Sequence, residues 1–175
     1  RARSNPPVVA WTGETQGTQF HFRIVEPPVG IPAEQWTRLA ADVLEQVERT
    51  FSRWRPDSEL SRLNATPAAT ATIEDDSLGL VLCFALRLAE QTGGAFDPTL
   101  APMLKLWGFG PGPVPAAPPS ETALADVRQR VGWHRVSVRH GAGRWTLYRD
   151  GDVELDLDAV AQGFTADAVA TALRA

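Results

Sequence analysis

Three stretches of the sequence place polar or aromatic side chains that could do chemistry beside turns. SRWRPDSELSRLN, residues 52–64, carries Trp54 just before a Pro-Asp turn. GGAFDPTLAPMLKLWGFG, residues 93–110, holds one carboxylate, Asp97, between a pair of glycines and an aromatic cluster. VELDLDAVAQGFTAD, residues 153–167, alternates acids with apolar residues before a helical pattern. Because binding and catalytic side chains are often carried at the ends of rigid elements, these stretches are the candidates for a site.

The first stretch has two interpretations. Trp54 could be the last core contact of a helix, followed by a solvated loop in which Ser58 caps a turn. The frequency of Ser and Asp in turns favours this interpretation on residue types alone. The alternative is a partly exposed indole that stacks on a flat heteroaromatic ring.

The second stretch is equally open. Gly93 and Gly94 could end one helix while Asp97 and Pro98 begin the next, although this leaves the WGFG of residues 107–110 unexplained. Alternatively, the glycines let the backbone approach a ligand and present Phe96 and Asp97 at a helix start. Free amides at a helix start attract anions, and the carboxylate can accept hydrogen bonds from the ligand.

The third stretch puts acids on one face of an expected strand. The alternation places Glu154, Asp156 and Asp158 on one side, beside a turn where Gly163 permits close approach. Three acids on one face could recruit a hard cation, which prefers oxygen ligands. An acidic edge that simply faces water fits the same pattern.

The sequence lacks the motifs of several common classes of binding and catalytic site. The sequence has no GxGxxG, no P-loop, no CxxC pair and no serine in a nucleophile elbow, and its three histidines are scattered. The single cysteine, Cys83, lies in an apolar run and is expected to be a small buried hydrophobe.

The elements that must position these stretches predict an α+β fold, because early and late strands enclose a series of helices. Residues 1–9 read as a polar, proline-bearing arm and residues 55–64 as a polar loop. One helix is apolar nearly all round and is therefore expected to be central. The predicted elements are a strand at 18–25, a helix from Pro32 to Phe51, the central helix at 77–91 capped by Asp75 or Asp76, a helix at about 98–106, a helix capped by Ser120 and ended by Gly132, a meander of strands at 134–139, 144–149 and 153–157, and a final helix from about Ala159.

Length, composition and charge limit the classes of protein to which this chain could belong. The 175 residues suit one domain or part of a larger one, and 43% apolar with 22% charged residues is ordinary for a soluble globular protein. A net charge of -4 without a basic stripe argues against nucleic acid as a partner. No signal peptide or membrane span is recognised, since the apolar run at 78–89 is short and carries Arg87. A start at Arg1 and an end inside a helical pattern predict a fragment.

Taken in order, four segments resemble the motifs of the ApbE family, the FAD:protein FMN transferases. QGTQFHFRI at 16–24 resembles its Met-Gly-Thr strand, and SRWRPDSELSRLN resembles its Ser-x-Tyr-x-x-x-Ser-Glu-Leu-x-x-x-Asn loop. GGAFDPTLAPMLKLWGFG is similar to its Gly-Ala-Phe-Asp-x-Thr…Trp-Gly-Phe-Gly signature, and LDLDAVAQGFTADAVA at 155–170 to its Asp-Leu-Gly-Gly-x-Ala-Lys-Gly-Tyr-x-x-Asp stretch. The resemblance implies an ApbE-like mixed sheet with packed helices, of which residues 1–175 form the N-terminal portion.

The resemblance also implies an activity. The family takes FAD with Mg²⁺ and moves FMN onto a Thr or Ser hydroxyl of a target flavoprotein, releasing AMP. Such phosphoryl transfer relies on positioning and on a divalent ion that neutralises charge. The implied partner is an electron-transfer flavoprotein, for example a redox-pump subunit. The implied location is the periplasmic side of the cell envelope, with a lipid anchor that is not in this chain.

The resemblance assigns residues as well, although none of them as a catalyst. Trp54 takes the place of a Tyr and would stack on the isoalloxazine ring, while the carbonyl of Ala159 aligns with a main-chain Mg²⁺ ligand. Gln16 stands where the family has Met, and Asp156 would contact the nucleotide. The FAD-binding residues implied in this way are Gln16, Trp54, Ala95, Phe96, Asp97, Asp156 and Gln162.

Some positions depart from the family. Gln162 replaces a Lys, so a charged contact to FAD becomes neutral, and Phe164 lacks the hydroxyl of a Tyr. Asp167 and Thr171 imitate the family's Asp-x-x-x-Thr metal-ligand pair, but their position makes the imitation accidental. The family's His-rich C-terminal half is not in this chain. Two further functions therefore stay open: a Mg²⁺-dependent FAD pyrophosphatase and a non-catalytic FAD-binding module.

Overall fold

The structure is a computed structural model that describes residues 6–66 and 68–174. Helices alternate with short antiparallel sheets, which confirms the α+β class. Residues 1–5 of the expected N-terminal arm lie outside the described residues. The elements are β1 (Val8–Thr15), β2 (Thr18–Val25), α1 (Ala33–Phe51), α2 (Glu59–Ala65), β3 (Thr70–Ile73), α3 (Asp76–Gln91), α4 (Ala101–Leu106), α5 (Glu121–Arg128), a 3₁₀ turn (Trp133–Arg135), β4 (Val136–Gly141), β5 (Arg144–Arg149) and α6 (Asp158–Ala172).

The chain divides into two compact units, and the first comprises Arg1–Glu48 with Gly163–Ala175. Its hairpin pairs β1 with β2 through the two-residue turn Gln16-Gly17, in which both residues have positive φ, as a type I′ turn requires. The prediction of a polar arm is wrong from Val8 onward, because β1 pairs with β2 along its whole length. The aromatic residues of the hairpin pack on a small buried cluster of Ala40, Leu44 and Val169.

The second unit, Arg49–Gln162, is built on a three-stranded sheet in the order β3-β5-β4. The predicted meander is right for β4 and β5 and wrong for its third strand, whose place is taken by β3. Residues 153–157 form no ladder because the side chain of Asn64 bonds both backbone groups of Leu155, accepting from its N–H at 2.8 Å and donating to its carbonyl at 2.9 Å. The alternation of the segment still buries its apolar side chains, which are Val153, Leu155 and Leu157.

Helix α3 has the predicted bounds within one residue, and Asp75 caps it by accepting from the Ser77 N–H. Although the helix is apolar nearly all round, one side of it is open to solvent, where Leu80 and Phe84 are 59% and 57% exposed. On the opposite side Gly79 packs directly on β5. A Cβ added at Gly79 would lie 2.3 Å from Cγ of Trp145, closer than any real contact.

The ends of α3 and α4 explain the glycines of residues 93–110. Gly93 donates to the carbonyl of Glu90 and Gly94 to that of Ala89, which is the pair of bonds of a Schellman cap. Gly108 and Phe109 repeat this pattern on α4, with Gly108 at φ 82°. The WGFG segment, unexplained by the sequence, is therefore in part a second helix stop.

Other bounds differ from prediction for local reasons. Helix α4 begins at Ala101 rather than near Pro98, because the Asp97 carboxylate accepts from the Thr99 N–H and holds residues 97–99 in a turn. Helix α5 is capped by Ser120 as predicted but ends at Arg128, before Gly132. Residues 59–65 form α2 instead of a polar loop. Among the described residues, no helix combines the length and apolar character needed to cross a bilayer.

Candidate functional site

Within the second unit, a buried ion pair joins the three stretches selected from the sequence. The guanidinium of Arg53 meets the carboxylate of Asp156, and the two residues are only 8% and 7% exposed. The backbone N–H of Asp156 donates to the carbonyl of Pro98 at 2.7 Å. Nη2 of Arg53 also donates to the carbonyl of Phe109 at 3.3 Å. The segments that carry Trp54, Asp97 and Asp156 are therefore held against one another.

Trp54 is 61% exposed, so its interpretation as the last core contact of the helix is wrong. Phe51, three residues earlier, is buried and fills that role. The backbone of Trp54 is tied to its own loop, since its N–H donates to the hydroxyl of Ser52 at 3.3 Å. An indole exposed in this way offers area for a planar ligand.

The residues that follow Trp54 hold the scaffold. Ser58 is buried and caps helix α2, not a turn of a solvated loop as predicted, by accepting from the Ser61 N–H at 3.0 Å. The buried carboxylate of Glu59 accepts from the backbone N–H groups of Glu74 and Asp75. Burial raises the pKa of Glu59 above its ordinary value, because desolvation outweighs the lowering by these two hydrogen bonds.

Asp97 is held by protein groups on both carboxylate oxygens. Oδ1 accepts from the N–H and hydroxyl of Thr99 at 2.8 and 2.6 Å, and Oδ2 accepts from the Trp133 N–H at 3.1 Å. These three bonds fix the orientation of the Asp97 carboxylate. A carboxylate has about four lone-pair sites, so at least one of them stays available for a ligand. Ala95 is exposed and Phe96 half-buried at the same corner.

Helix α6 begins at Asp158, two residues after Asp156, whose Oδ1 accepts from the Asp158 N–H at 2.9 Å. Ala159 and Gln162 follow in the first turns of the helix and are both exposed. The carbonyl of Ala159 keeps a lone pair that could serve a cation, since a carbonyl oxygen has two.

The acids of residues 153–158 do not gather into a metal site. Asp156 pairs with Arg53, and Glu154 pairs with Lys105. Over residues 6–66 and 68–174, no group of three or more His, Cys, Asp or Glu side chains could hold a metal ion. Of the two interpretations of these acids, the three-acid cation site is therefore wrong. Magnesium demands near-octahedral oxygen coordination, so the single Ala159 carbonyl does not make a Mg²⁺ site.

Two expectations concern the first unit. Gln16 lies in the hairpin turn, where its N–H donates to Oε1 of Glu48 at 2.8 Å and its side-chain amide donates to the hydroxyl of Thr165 at 2.6 Å. The Thr171 hydroxyl donates to the carbonyl of Asp167 at 2.8 Å, an ordinary bond within a helix.

Arg53 is the residue that sequence reasoning missed. It is separated from Asp156 by 103 positions, and no spacing rule links the two. It also lines a cavity of about 230 Å³ in the second unit. The residues around this cavity are Arg53, Ser61, Asn64, Ala65, Ala101, Lys105, Pro111 and Glu154.

Comparison with known proteins gives consistent sequence matches. The model of the ApbE family matches residues 16–175. The FAD:protein FMN transferase of Haemophilus influenzae is 32% identical over 95% of this chain and 49% of its own length. That of Klebsiella pneumoniae is 31% identical over 90% of this chain and 45% of its own length.

Solved structures share the fold. The flavin transferase ApbE from Vibrio cholerae superposes with a TM-score of 0.89 at 29% identity, covering 97% of this chain and 54% of that one. The apo flavinyl transferase ApbE of Pseudomonas stutzeri gives a TM-score of 0.85 at 29% identity, over 99% of this chain and 57% of that one. An apbe protein from Thermotoga maritima, 20% identical with a TM-score of 0.84 over 95% of this chain and 52% of that one, shows the fold alone.

These findings define the fold as that of the flavin transferases. The family model covers most of the sequence, and the chain belongs to the ApbE family. It spans about half the length of the curated relatives it matches.

Proposed function

We propose that the complete protein transfers FMN from FAD to a Thr or Ser hydroxyl of a target flavoprotein and releases AMP. The observation that carries the proposal is the Arg53–Asp156 ion pair, which joins the exposed Trp54, the Asp97 corner and the start of α6 in a chain of this family. The hydroxyl oxygen forms a bond to the FMN phosphorus, the bond from that phosphorus to the AMP oxygen breaks, and the hydroxyl proton leaves to solvent.

Each part of the proposed site has its own role. Trp54 stacks on the isoalloxazine ring, since its indole is largely exposed. Ala95, Phe96 and Asp97 form a wall whose geometry the Asp97 hydrogen bonds fix. Asp156 contacts the nucleotide from the N-terminus of α6.

Gln162 and Gln16 complete the proposed contacts. Gln162 is exposed in α6 and offers an amide, a neutral donor and acceptor. Gln16, in the turn between β1 and β2, is the remaining FAD-binding residue that the family resemblance implies. A neutral Gln162 implies that FAD binding depends less on salt than a lysine at this place would make it.

We also propose that the reaction depends on Mg²⁺, which when bound would offset charge on the pyrophosphate. The described residues offer the carbonyl of Ala159 and no cluster of acids. Water and the pyrophosphate oxygens of FAD, together with residues of the complete protein, would supply the remaining ligands of such an ion.

The proposed partner is a flavoprotein of an electron-transfer system, such as a redox-pump subunit. The names of the relatives support a protein acceptor, since they are FAD:protein FMN transferases. The proposed place of action is the periplasmic side of the cell envelope, with attachment to the membrane through a lipid anchor. This follows from the family resemblance.

The test is to incubate the complete protein with FAD, Mg²⁺ and a candidate acceptor. Transfer predicts AMP release together with FMN covalently bound to the acceptor, detected by mass. AMP with free FMN would instead make the protein an FAD pyrophosphatase, and tight FAD binding without AMP would make it a binding module. A parallel sample with EDTA is expected to bind FAD and release no AMP. AMP release that persists in EDTA would contradict the Mg²⁺ requirement.

A further inference from the structure

The guanidinium of Arg53 has contacts on several sides, all within the second unit. It pairs with the buried carboxylate of Asp156 and donates to the carbonyl of Phe109. Gly110, at φ 131°, leaves the space that the guanidinium fills, since a Cβ there would lie 2.4 Å from Nη2. The planar fork of an arginine can bind two acceptors in fixed directions, which a lysine cannot do.

The charged groups around Arg53 distinguish it from a solvent-exposed surface arginine. Its Nε lies 3.9 Å from Oδ2 of Asp158 and is buried without a hydrogen-bond partner among the described residues. Lys105 and Glu154, which line the same cavity, pair with each other. Asp156 therefore depends on Arg53 for its counter-charge, because an unpaired carboxylate at this depth would be costly.

We propose that Arg53 is a positioning residue of the FAD site, an inference that rests on the proposed function. It fixes the carboxylate of Asp156 from one side and, as the preceding residue, sets the backbone from which Trp54 projects. Arg53 itself touches no ligand in this scheme. Replacing Arg53 should therefore disturb the Asp156 carboxylate and the Trp54 indole together.

The test is a double-mutant cycle on FAD affinity, measured by titration of the complete protein. Arg53→Met is expected to weaken FAD binding about 10- to 100-fold, the scale of one hydrogen bond to a charged group. Asp156→Asn should weaken it similarly. Adding Arg53→Met to Asp156→Asn should change the affinity by less than about threefold, because the two residues act as one unit. The double variant also lacks an unpaired buried charge and is the form expected to fold if Arg53→Met alone does not.

Two further measurements separate positioning from general destabilisation. Arg53→Lys should regain part of the affinity, since it restores the charge without the fork. At saturating FAD, the flavin absorbance change caused by stacking should be smaller in Arg53→Met than in the unchanged protein. A purely structural role would leave the saturated spectrum unaltered. The control is Arg130→Met, which removes a surface ion pair with Asp152 and should leave FAD affinity and spectrum unchanged.

The outcomes are distinguishable. If the unchanged protein does not bind FAD, the proposed function fails and the role of Arg53 falls with it. If the unchanged protein binds FAD and Arg53→Met binds equally well with the same spectrum, only the positioning role is overturned. An equal loss on Arg53→Met in the wild-type and Asp156→Asn backgrounds overturns it too, because Arg53 would then act without Asp156.

Discussion

At the scale of single residues, the site divides into side chains held by the protein and side chains left exposed. Asp97 and Asp156 accept hydrogen bonds from backbone N–H groups, so their orientation is set before any ligand arrives. Trp54 and Gln162 are exposed. The held acids define a geometry, and the exposed side chains are the ones free to meet a planar or polar ligand.

Trp54→Ala is expected to weaken FAD binding by about 1 to 3 kcal/mol, the scale of one aromatic stack on a base. Isothermal titration or quenching of flavin fluorescence measures the change. Trp54→Phe should keep much of the affinity, because the aromatic face remains.

The matched control for Trp54 is Phe84→Ala, which removes an aromatic side chain of similar exposure from α3. Its FAD affinity should equal that of the unchanged protein. Equal affinity in Trp54→Ala would contradict the stacking role.

At the scale of elements, the helices of the second unit are stopped and spaced by particular residues. Schellman caps end α3 and α4, and the Asn64 side chain replaces a strand neighbour for Leu155. Gly79 lets α3 lie directly on Trp145 of β5. The helix accepts a residue of poor helix propensity there because no larger side chain fits.

Gly79→Ala is expected to lower the free energy of unfolding by about 1 to 3 kcal/mol, the usual cost of overpacking. The added Cβ would overlap Cγ, Cδ1 and Cδ2 of Trp145, so the whole indole would have to shift to admit it. Urea unfolding followed by tryptophan fluorescence measures the difference.

Gly163→Ala provides the comparison, since a Cβ at this helical position meets no atom within 4 Å. It should raise stability by up to about 1 kcal/mol through helix propensity alone. Stabilisation by Gly79→Ala of the same size would show that the contact with Trp145 has no steric consequence.

At the scale of the whole molecule, stability should depend on pH through Glu59. Its pKa is raised above the ordinary value of 4.5 by burial, so the folded state binds the proton more tightly than the unfolded chain. The stabilising contribution is therefore complete below the ordinary pKa and is lost as pH rises through the raised one.

The free energy of unfolding of the unchanged protein, minus that of Glu59→Gln, should accordingly be largest in acid and fall with rising pH. Urea titrations at a series of pH values measure it. The control is the difference in free energy of unfolding between the unchanged protein and Glu90→Gln, a variant at an exposed position of α3. A difference for Glu59 that stays constant with pH would contradict the assignment.

Local signals made much of this architecture predictable. The strand at 18–25 and helix α3 follow from side-chain periodicity and an aspartate cap, which depend on neighbours in sequence. Contacts over long separations were not predictable. Asn64 prevents residues 153–157 from joining the sheet, and the Arg53–Asp156 pair joins positions with no shared pattern. The family could be inferred from motifs, whereas the Arg53–Asp156 ion pair could not.

The glycines of the Schellman caps that end α3 and α4, at 93–94 and 108, have an evolutionary consequence. Selection on them would act through folding, so a descendant without the proposed activity would still carry both. Substitutions that follow the loss of that activity would appear first at exposed positions such as Trp54, because the fold does not require a tryptophan there.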